Sequence, residues 1–161
     1  MYESAKNLLA TTVRDWNKFI AEREKMEKAS RQVAEVTTTV IMELLAFLKA
    51  QHIDANSDSA DAMTLMGSPV QVVPEVEASY PIVKTMIHLR CAAAARSIVV
   101  NPNMTVSAGG VAIPLDQLSK AVPVQFTTNA AQFLQDAFLG AAKAATSATK
   151  EPNAPTSGPS G

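Results

Sequence analysis

The sequence predicts a mainly α (α+β) protein: a long N-terminal helix, or a helical hairpin, followed by a small domain of two main helices and a short β-hairpin. Three observations predict this class. No glycine or proline occurs between Glu3 and His52. Large apolar residues recur in that stretch at steps of three and four, which is the spacing of one helical face. Later, the pair Gly109-Gly110 separates two short alternating runs, as in a hairpin.

Residues 1–53 are predicted to form a helical arm with two apolar stripes and a polar spacer between them. The spacer, residues 21–32, contains Met26 as its only sizeable apolar residue. Its acidic residues precede basic ones by four positions, a pairing that suits a solvated helix surface. The outer stripe is Leu9, Val13, Trp16 and Ile20, and the inner stripe is Val33, Val36, Val40, Leu44 and Phe47.

The arm can be one helix or two. A continuous helix of this length would span about 70 Å, which exceeds the diameter of a globule of this size. A break near Ala29-Ser30 would fold it into a hairpin instead, and the β-branched run Thr37–Thr39 is a second weak point. Because no glycine or proline marks a turn, the sequence favours a mostly continuous helix, part of which projects from the domain.

The rest of the chain divides by composition. Residues 54–69 are predicted to be a polar linker loop, and residues 70–148 the small α+β domain. Residues 149–161 are rich in proline, serine and glycine and cannot build a core, so we expect a disordered tail.

Within the small domain, the first predicted element is a short strand at Val70–Val73, which Pro74 closes. A helix should follow from Tyr80 to Ser97, with Ser79 as its N-cap and Pro81 in its first turn. Its alanine-rich run, residues 91–95, would offer a small-residue surface for close packing of another helix.

The second half of the domain starts with the predicted hairpin at residues 104–113, where the glycine pair supplies the turn. Pro114 should begin a short helix, Leu115 to Ala121. Val122, Val124 and Phe126 alternate as in another short strand. A last helix, capped by Thr127 or Thr128, should run to about Ala148 with one apolar face.

Charge and cysteine content narrow the function classes. The formal net charge is −1, and basic and acidic residues alternate in the arm, so the sequence argues against nucleic-acid binding and attraction to anionic membranes. Cys91 is the only cysteine, which excludes an intrachain disulfide and a cysteine zinc cluster. The start of the chain lacks the features of a signal peptide, and no apolar run approaches the length of a membrane span. We expect a soluble cytoplasmic protein.

Two sequence patterns resemble ligand sites but are incomplete. The series Asp54, Asn56, Asp58 matches the first three ligand positions of a helix-loop-helix calcium loop. Ser59 then replaces the required glycine, and Leu65 the bidentate glutamate. His88 and Cys91 would share one face of the predicted helix, but no further ligands or catalytic partners follow at a suitable spacing. We therefore predict no metal, no cofactor and no catalytic residues.

Arg90 is the most unusual charged residue, because it falls inside the apolar arc of the helix predicted at Tyr80–Ser97. A charge at such a position must be paired or reach solvent along its stem. The sequence predicts either a structural ion pair, with Glu75, Glu77 or Asp116 as candidate partners, or an anion-binding site.

These observations favour a non-enzymatic structural or assembly protein that binds a second copy of itself or another protein through its N-terminal helix. Leaving large apolar side chains in water costs roughly 1.5–3 kcal/mol each, so the outer stripe should be covered. Each stripe has coiled-coil spacing for only about two heptads, fewer than an autonomous coiled coil needs. The predicted interface residues are Leu9, Val13, Trp16, Phe19 and Ile20.

Other functions remain open at this point. An alanine-rich domain with a flexible tail is common in bacteriophage accessory proteins, so a virion or phage accessory protein in the infected-cell cytoplasm is one version of the assembly hypothesis. The main alternative is a small ligand-binding or catalytic domain that uses Arg90 and the hairpin. A nucleic-acid-associated helical protein is a further alternative.

Overall fold

The computed structural model describes the chain to residue 160 and its side chains to residue 147. The disorder predicted for residues 149–161 therefore falls outside the fully described residues. The segment predicted as a linker loop, residues 54–69, contains a 3₁₀ turn, Ala60–Ala62, two short paired strands and the start of a third strand. The helices are α1 (Glu3–Ala50), α2 (Leu115–Lys120) and α3 (Val124–Ser160). The strands are β1 (Ala55–Asn56), β2 (Thr64–Leu65), β3 (Ser68–Ser79), β4 (Ile82–Cys91), β5 (Ala94–Val100), β6 (Thr105–Ala108) and β7 (Val111–Pro114).

The centre of the fold is a seven-stranded antiparallel sheet in which the strands lie in sequence order from β1 to β7. Both α1 and α3 pack on the face of the sheet that carries its buried side chains. The predicted fold class, a small domain of two main helices and a short hairpin, is therefore wrong. The domain is rich in sheet, and two long helices cover one face of it.

The helix predicted from Tyr80 to Ser97 is the main error, because the chain there forms β4 and β5. Ala92 adopts a left-handed φ of 52° in the tight turn between them, so the run 91–95 contains the end of one strand, a two-residue turn and the start of the next strand, and it is not a helix surface. Along β4, burial alternates with a period of two: Thr85, Ile87 and Leu89 are buried, and the residues between them face the open side. A nearly continuous apolar run is compatible with the 3.6-residue period of a helix and with the two-residue period of a strand. The β-branched residues of this segment favour the strand.

Strand β3 extends well beyond the predicted end at Val73 and passes through Pro74. Proline removes a backbone donor, so strands tolerate it where no neighbour needs that donor. The short β2 pairs only with Ser68 and Pro69, which leaves the rest of β3 as an edge of the sheet. The edge position explains why Pro74 does not end the strand.

The hairpin predicted around the glycine pair is confirmed. Strands β6 and β7 pair with Ala108 opposite Val111, and Gly109 and Gly110 adopt φ values of 59° and 81°. The short helix predicted after Pro114 is α2. The strand predicted at Val122–Phe126 is wrong, because α3 begins at Val124. Phe126 is fully buried on the apolar face of this helix. Its buried residues continue at helical spacing: Ala130, Phe133, Leu134 and Ala137.

The long N-terminal helix is confirmed as one continuous element without a break at Ala29-Ser30. Both of these residues are buried, on the same side of the helix as the buried Met26 and Val33. The polar spacer is thus solvated on its outer side only, and Met26 is fully buried on its inner side. Thr37, at the second predicted weak point, donates its hydroxyl hydrogen to the Val33 carbonyl oxygen at 2.7 Å, which satisfies that hydroxyl within the helix.

The alternation along β4 can be tested with neighbouring substitutions. Ile87→Ala should lower the free energy of unfolding by about 2–4 kcal/mol, because it opens a cavity between the sheet and the helices. Met86→Ala, one residue away on the open face, should cost under about 1 kcal/mol. Urea denaturation measures both values. Equal losses would contradict the strand assignment.

Candidate functional site

The first eighteen residues of the chain are all exposed, and we call them the projecting segment, residues 1–18. At 1.5 Å per residue, its helical part extends about 24 Å. The remainder of α1 packs along β3 and β4, whose connecting turn lies beside Trp16 and Phe19. The segment therefore leaves the domain at the tip of the β3–β4 hairpin.

Three aromatic rings mark this exit point. The ring centroids of Trp16 and Phe19 are 5.5 Å apart, and Tyr80 of the β3–β4 turn lies 5.8 Å from Trp16 and 5.3 Å from Phe19. The Phe19–Tyr80 pair has the edge-to-face geometry that aromatic quadrupoles favour. This aromatic cluster joins the hairpin tip to α1 and fixes the direction in which the projecting segment points.

The predicted interface residues divide into two groups. Leu9, Val13 and Trp16 are 63%, 56% and 47% exposed, so they form an apolar ridge on the surface of the projecting segment. Phe19 is buried in the aromatic cluster and Ile20 is half-buried, so both contribute to the fold. Sequence reasoning missed Tyr2, which lies one heptad before Leu9 and is exposed. The seven-residue spacing between Tyr2 and Leu9 could have identified Tyr2 from the sequence.

The heptad positions that flank this ridge carry no charge between Leu9 and Asn17. In the heptad that places Leu9 and Trp16 at one core position and Val13 at the other, Ala10, Thr12 and Asn17 occupy the flanking positions. The charged residues of this stretch, Arg14 and Asp15, fall on the remaining positions, and Arg14 lines a shallow surface concavity together with Val13. An uncharged apolar ridge suits contact with another apolar protein surface better than contact with phosphates.

A row of hydrogen-bonded side chains crosses the open face of the sheet. His88 of β4 places Nε2 at 2.8 Å from Glu75 Oε2 on β3, and Nδ1 at 3.1 Å from Ser97 Oγ on β5. The three residue types match those of a catalytic triad. However, the Glu75 side chain is more than half exposed, and the row lies on the uncovered face of the sheet. Its evident effect is to link three neighbouring strands.

Cys91 and His88 do not share a face, contrary to the helical interpretation. Cys91 is buried among the core residues, while His88 is on the opposite side of β4. Burial raises the pKa of the Cys91 thiol, which disfavours the reactive thiolate. Within the part of the chain that the structure describes, no group of three or more His, Cys, Asp or Glu side chains is arranged to hold a metal ion.

Arg90, the predicted ion-pair or anion site, is exposed on the open face between Gln71 of β3 and Ala95 of β5. It forms no salt bridge with any side chain described here. The inward-facing arginine is Arg96 of β5, which donates to Gln132 Oε1 at 3.2 Å and to Asp136 Oδ2 at 3.1 Å on α3. The inward position of Arg96 could have been predicted only if Ala94–Val100 had been recognised as a strand, in which alternate residues face the core.

Comparison with known proteins adds no relative, since the chain matches no protein-family description, no curated protein and no solved structure. Among the helices of the described residues, none combines the length and apolar character required to cross a bilayer. The candidate interaction site is therefore identified by the geometry of the projecting segment alone.

The aromatic cluster predicts a spectroscopic change, because Trp16 is the only tryptophan of the chain. Tyr80→Ala should shift Trp16 emission to longer wavelength and lower the free energy of unfolding by about 1–3 kcal/mol, since it removes two ring contacts. Ile82→Ala, an exposed neighbour outside the cluster, is the control and should change neither quantity appreciably. Fluorescence and urea titration measure both, and an unchanged emission spectrum for Tyr80→Ala would contradict the cluster.

The two arginines give a second test. Arg96→Ala should cost about 1–2 kcal/mol of stability, because it removes the hydrogen bonds to α3, including one of 3.4 Å to the buried Asn129 Oδ1. Arg90→Ala should stay within about 0.5 kcal/mol of the parent protein. Thermal and urea denaturation compare the two, and the reverse order would show that Arg90 is the structural arginine.

Proposed function

We propose that this chain is a non-enzymatic assembly protein that binds a second copy of itself through the apolar ridge of the projecting segment, Leu9, Val13 and Trp16. The observation that carries the proposal is that these three large side chains lie in one line on a helix and remain about half exposed or more, although Trp16 also contacts Phe19 and Tyr80.

The energetics favour a partner for this ridge. Exposed apolar residues are normal when they are scattered, but a contiguous line of them marks an interaction surface. Covering a Leu, a Val and a Trp side chain that are about half exposed would contribute several kcal/mol, at roughly 25 cal/mol per Å² of apolar surface removed from water. That gain is enough to support association once it is combined with the neighbouring contacts.

The construction of the segment also favours association. Trp16 is held by the aromatic cluster, and Leu9 and Val13 lie on a helix continuous with the buried part of α1. The ridge is therefore held in one conformation before it binds, which lowers the entropy cost of forming a complex. A second copy is the simplest partner, because it is present wherever the chain is present and homo-oligomers are the commonest assemblies.

Val13→Glu tests the proposal without disturbing the aromatic cluster, since Val13 is exposed and outside it. The parent protein should show a mass above that of one chain in light scattering after gel filtration, and Val13→Glu should show the mass of a monomer. A buried charge without a partner weakens an interface by several kcal/mol, so the dissociation constant should rise by more than tenfold.

Leu8→Glu is the matched control for this measurement. Leu8 is exposed on the same helix but is rotated by about 100° from Leu9, outside the ridge. It should leave the assembled mass unchanged. A parent protein that remains monomeric at high concentration, or a Val13→Glu variant that assembles normally, would refute the proposal.

A further inference from the structure

The outer side of β3 is an unpaired edge of the sheet along most of its length, and we call residues 72–79 the β3 edge. In the part of the chain that the structure describes, β2 pairs only with Ser68 and Pro69, and no strand pairs with β3 on that side beyond them. The edge is also uncovered, because Pro74 and Ala78 are exposed although they alternate with the open-face residues of the strand. A long unpaired edge is a surface to which another strand can add.

One hydrogen bond shows which backbone groups of β3 point outward. The Val70 N–H donates to the Met63 carbonyl oxygen at 2.9 Å, on the β2 side of the strand. Backbone groups alternate in direction along a strand, so the N–H groups of Val72, Val76 and Ala78 point to the same side. Because β2 does not extend beside these residues, their donors and the neighbouring carbonyl oxygens are available to an added strand.

A groove lies at the β2 end of this edge. Its volume is about 430 Å³, and it is bounded by residues 69–73 of β3, by Ala60, Asp61 and Met63 beside the 3₁₀ turn, and by Thr38 of α1. Since Val72 belongs to both, the groove is continuous with the β3 edge. An extended segment that starts in the groove can therefore run along the strand.

The chain around the β3 edge is acidic. Residues 50–83, which include the whole of β3 and the 3₁₀ turn, contain five acidic residues and no lysine or arginine. Glu75 and Glu77 lie on the open face of the strand, and Asp61 is the charged residue that lines the groove. Among these three carboxylates, only that of Glu75 has a side-chain partner, His88.

We propose that the β3 edge binds an extended basic segment of another protein by strand addition, with lysine or arginine at the two positions opposite Glu75 and Glu77. The unpaired backbone groups specify an extended partner, and the carboxylates specify its charge. This surface is separate from the ridge, so the inference goes beyond the proposed self-association.

The register explains why the two glutamates would select basic side chains. The backbone groups of Glu75 and Glu77 point toward β4, so their neighbours on an added antiparallel strand would form non-hydrogen-bonded pairs, in which side chains are closest. Opposite charges stabilise such a pair. Lys84 lies opposite Glu77 on β4 but forms no salt bridge with it, which leaves the Glu77 carboxylate free for the partner.

A second copy fits this edge poorly. Two antiparallel β3 strands centred on Glu75 or Val76 would place glutamates opposite glutamates, which is unfavourable. A pair centred on Pro74 would instead bring together two residues that lack the outward N–H donor. Within one copy, Pro74 interrupts the donor series once, so the added strand forms a short and reversible contact.

The test uses the intact protein and a synthetic probe, a labelled eight-residue peptide of alternating lysine and valine with blocked ends. Fluorescence anisotropy should show saturable binding. Amide hydrogen exchange, followed by NMR, should slow at Val72, Val76 and Ala78 when the peptide is added. Val73 and Glu75 are internal controls, because their N–H groups point to β4 and should be protected with or without the peptide.

Two control peptides separate strand addition from simple charge attraction. One carries glutamate in place of lysine, and the other keeps the lysines but is N-methylated on the backbone edge that would pair. We expect neither to bind appreciably. Equal binding of the N-methylated peptide would overturn strand addition, and equal binding of the glutamate peptide would overturn the preference for a basic segment.

Glu77→Lys should raise the dissociation constant of the lysine peptide by about three- to tenfold, because it replaces one favourable cross-strand pair by a like-charge pair. Glu43→Lys makes the same charge change on an exposed residue of α1 and should stay within about twofold of the parent protein. An equal effect of the two substitutions would contradict the proposed site.

The exchange data also distinguish the other possible occupant. If the edge amides become protected as the protein concentration rises without any peptide, a second copy occupies the edge and the proposal is wrong. It also fails if the lysine peptide does not bind or protects amides elsewhere. None of these results depends on the ridge, whose self-association is measured separately with Val13→Glu.

Discussion

The packing of α1 against one face of the antiparallel sheet is the constraint on which the rest of the structure depends. Antiparallel sheets of this kind bury one face and leave the other in water. The buried face has to be covered, and α1 supplies a line of inward-facing residues at helical spacing for that purpose. The cover must be close, which explains the small Ala29 and Ser30 where the helix crosses the sheet. The members of this line are Met26, Ala29, Ser30, Val33, Thr37, Val40, Ile41 and Leu45.

The unequal lengths of helix and sheet determine where surface is left over. The β3–β4 hairpin is the longest pair of strands, and its tip reaches α1 only at Trp16 and Phe19. Every residue of α1 before that point lacks a sheet to cover, yet the outer stripe continues its apolar spacing there. The aromatic cluster seals the end of the core and also supports the first turns of the projecting segment. The boundary between fold and free surface therefore falls inside the outer stripe, between Trp16 and Phe19.

Local signals made α1 and the β6–β7 hairpin predictable, because a stretch without glycine or proline and a Gly-Gly pair act over a few residues. The segment from Tyr80 to Val100 was not predictable in the same way. Its apolar and alanine residues satisfy a helical arc as well as an alternating strand, and only pairing with β3 decides between them. The wrong period placed Arg90 among the apolar residues and gave no role to Arg96, which is the arginine that contacts α3. The ridge residues could be identified because they depend on α1 alone, whereas the apolar groove between α1 and α3 depends on the position of α3, which no local pattern contains.

The apolar groove between α1 and α3, whose lining includes Leu44, Phe47 and Phe138, has a physical origin in this two-layer architecture. Each helix buries one stripe on the sheet, and the sides of α1 and α3 touch each other without a third layer above them. Both helices are held by apolar faces in one core, and Arg96 adds polar contacts between β5 and α3. A surface seam in water would ordinarily be lined by polar side chains. Here Leu44, Phe47 and Phe138 line it instead, so apolar side chains from two separate elements cluster at the surface.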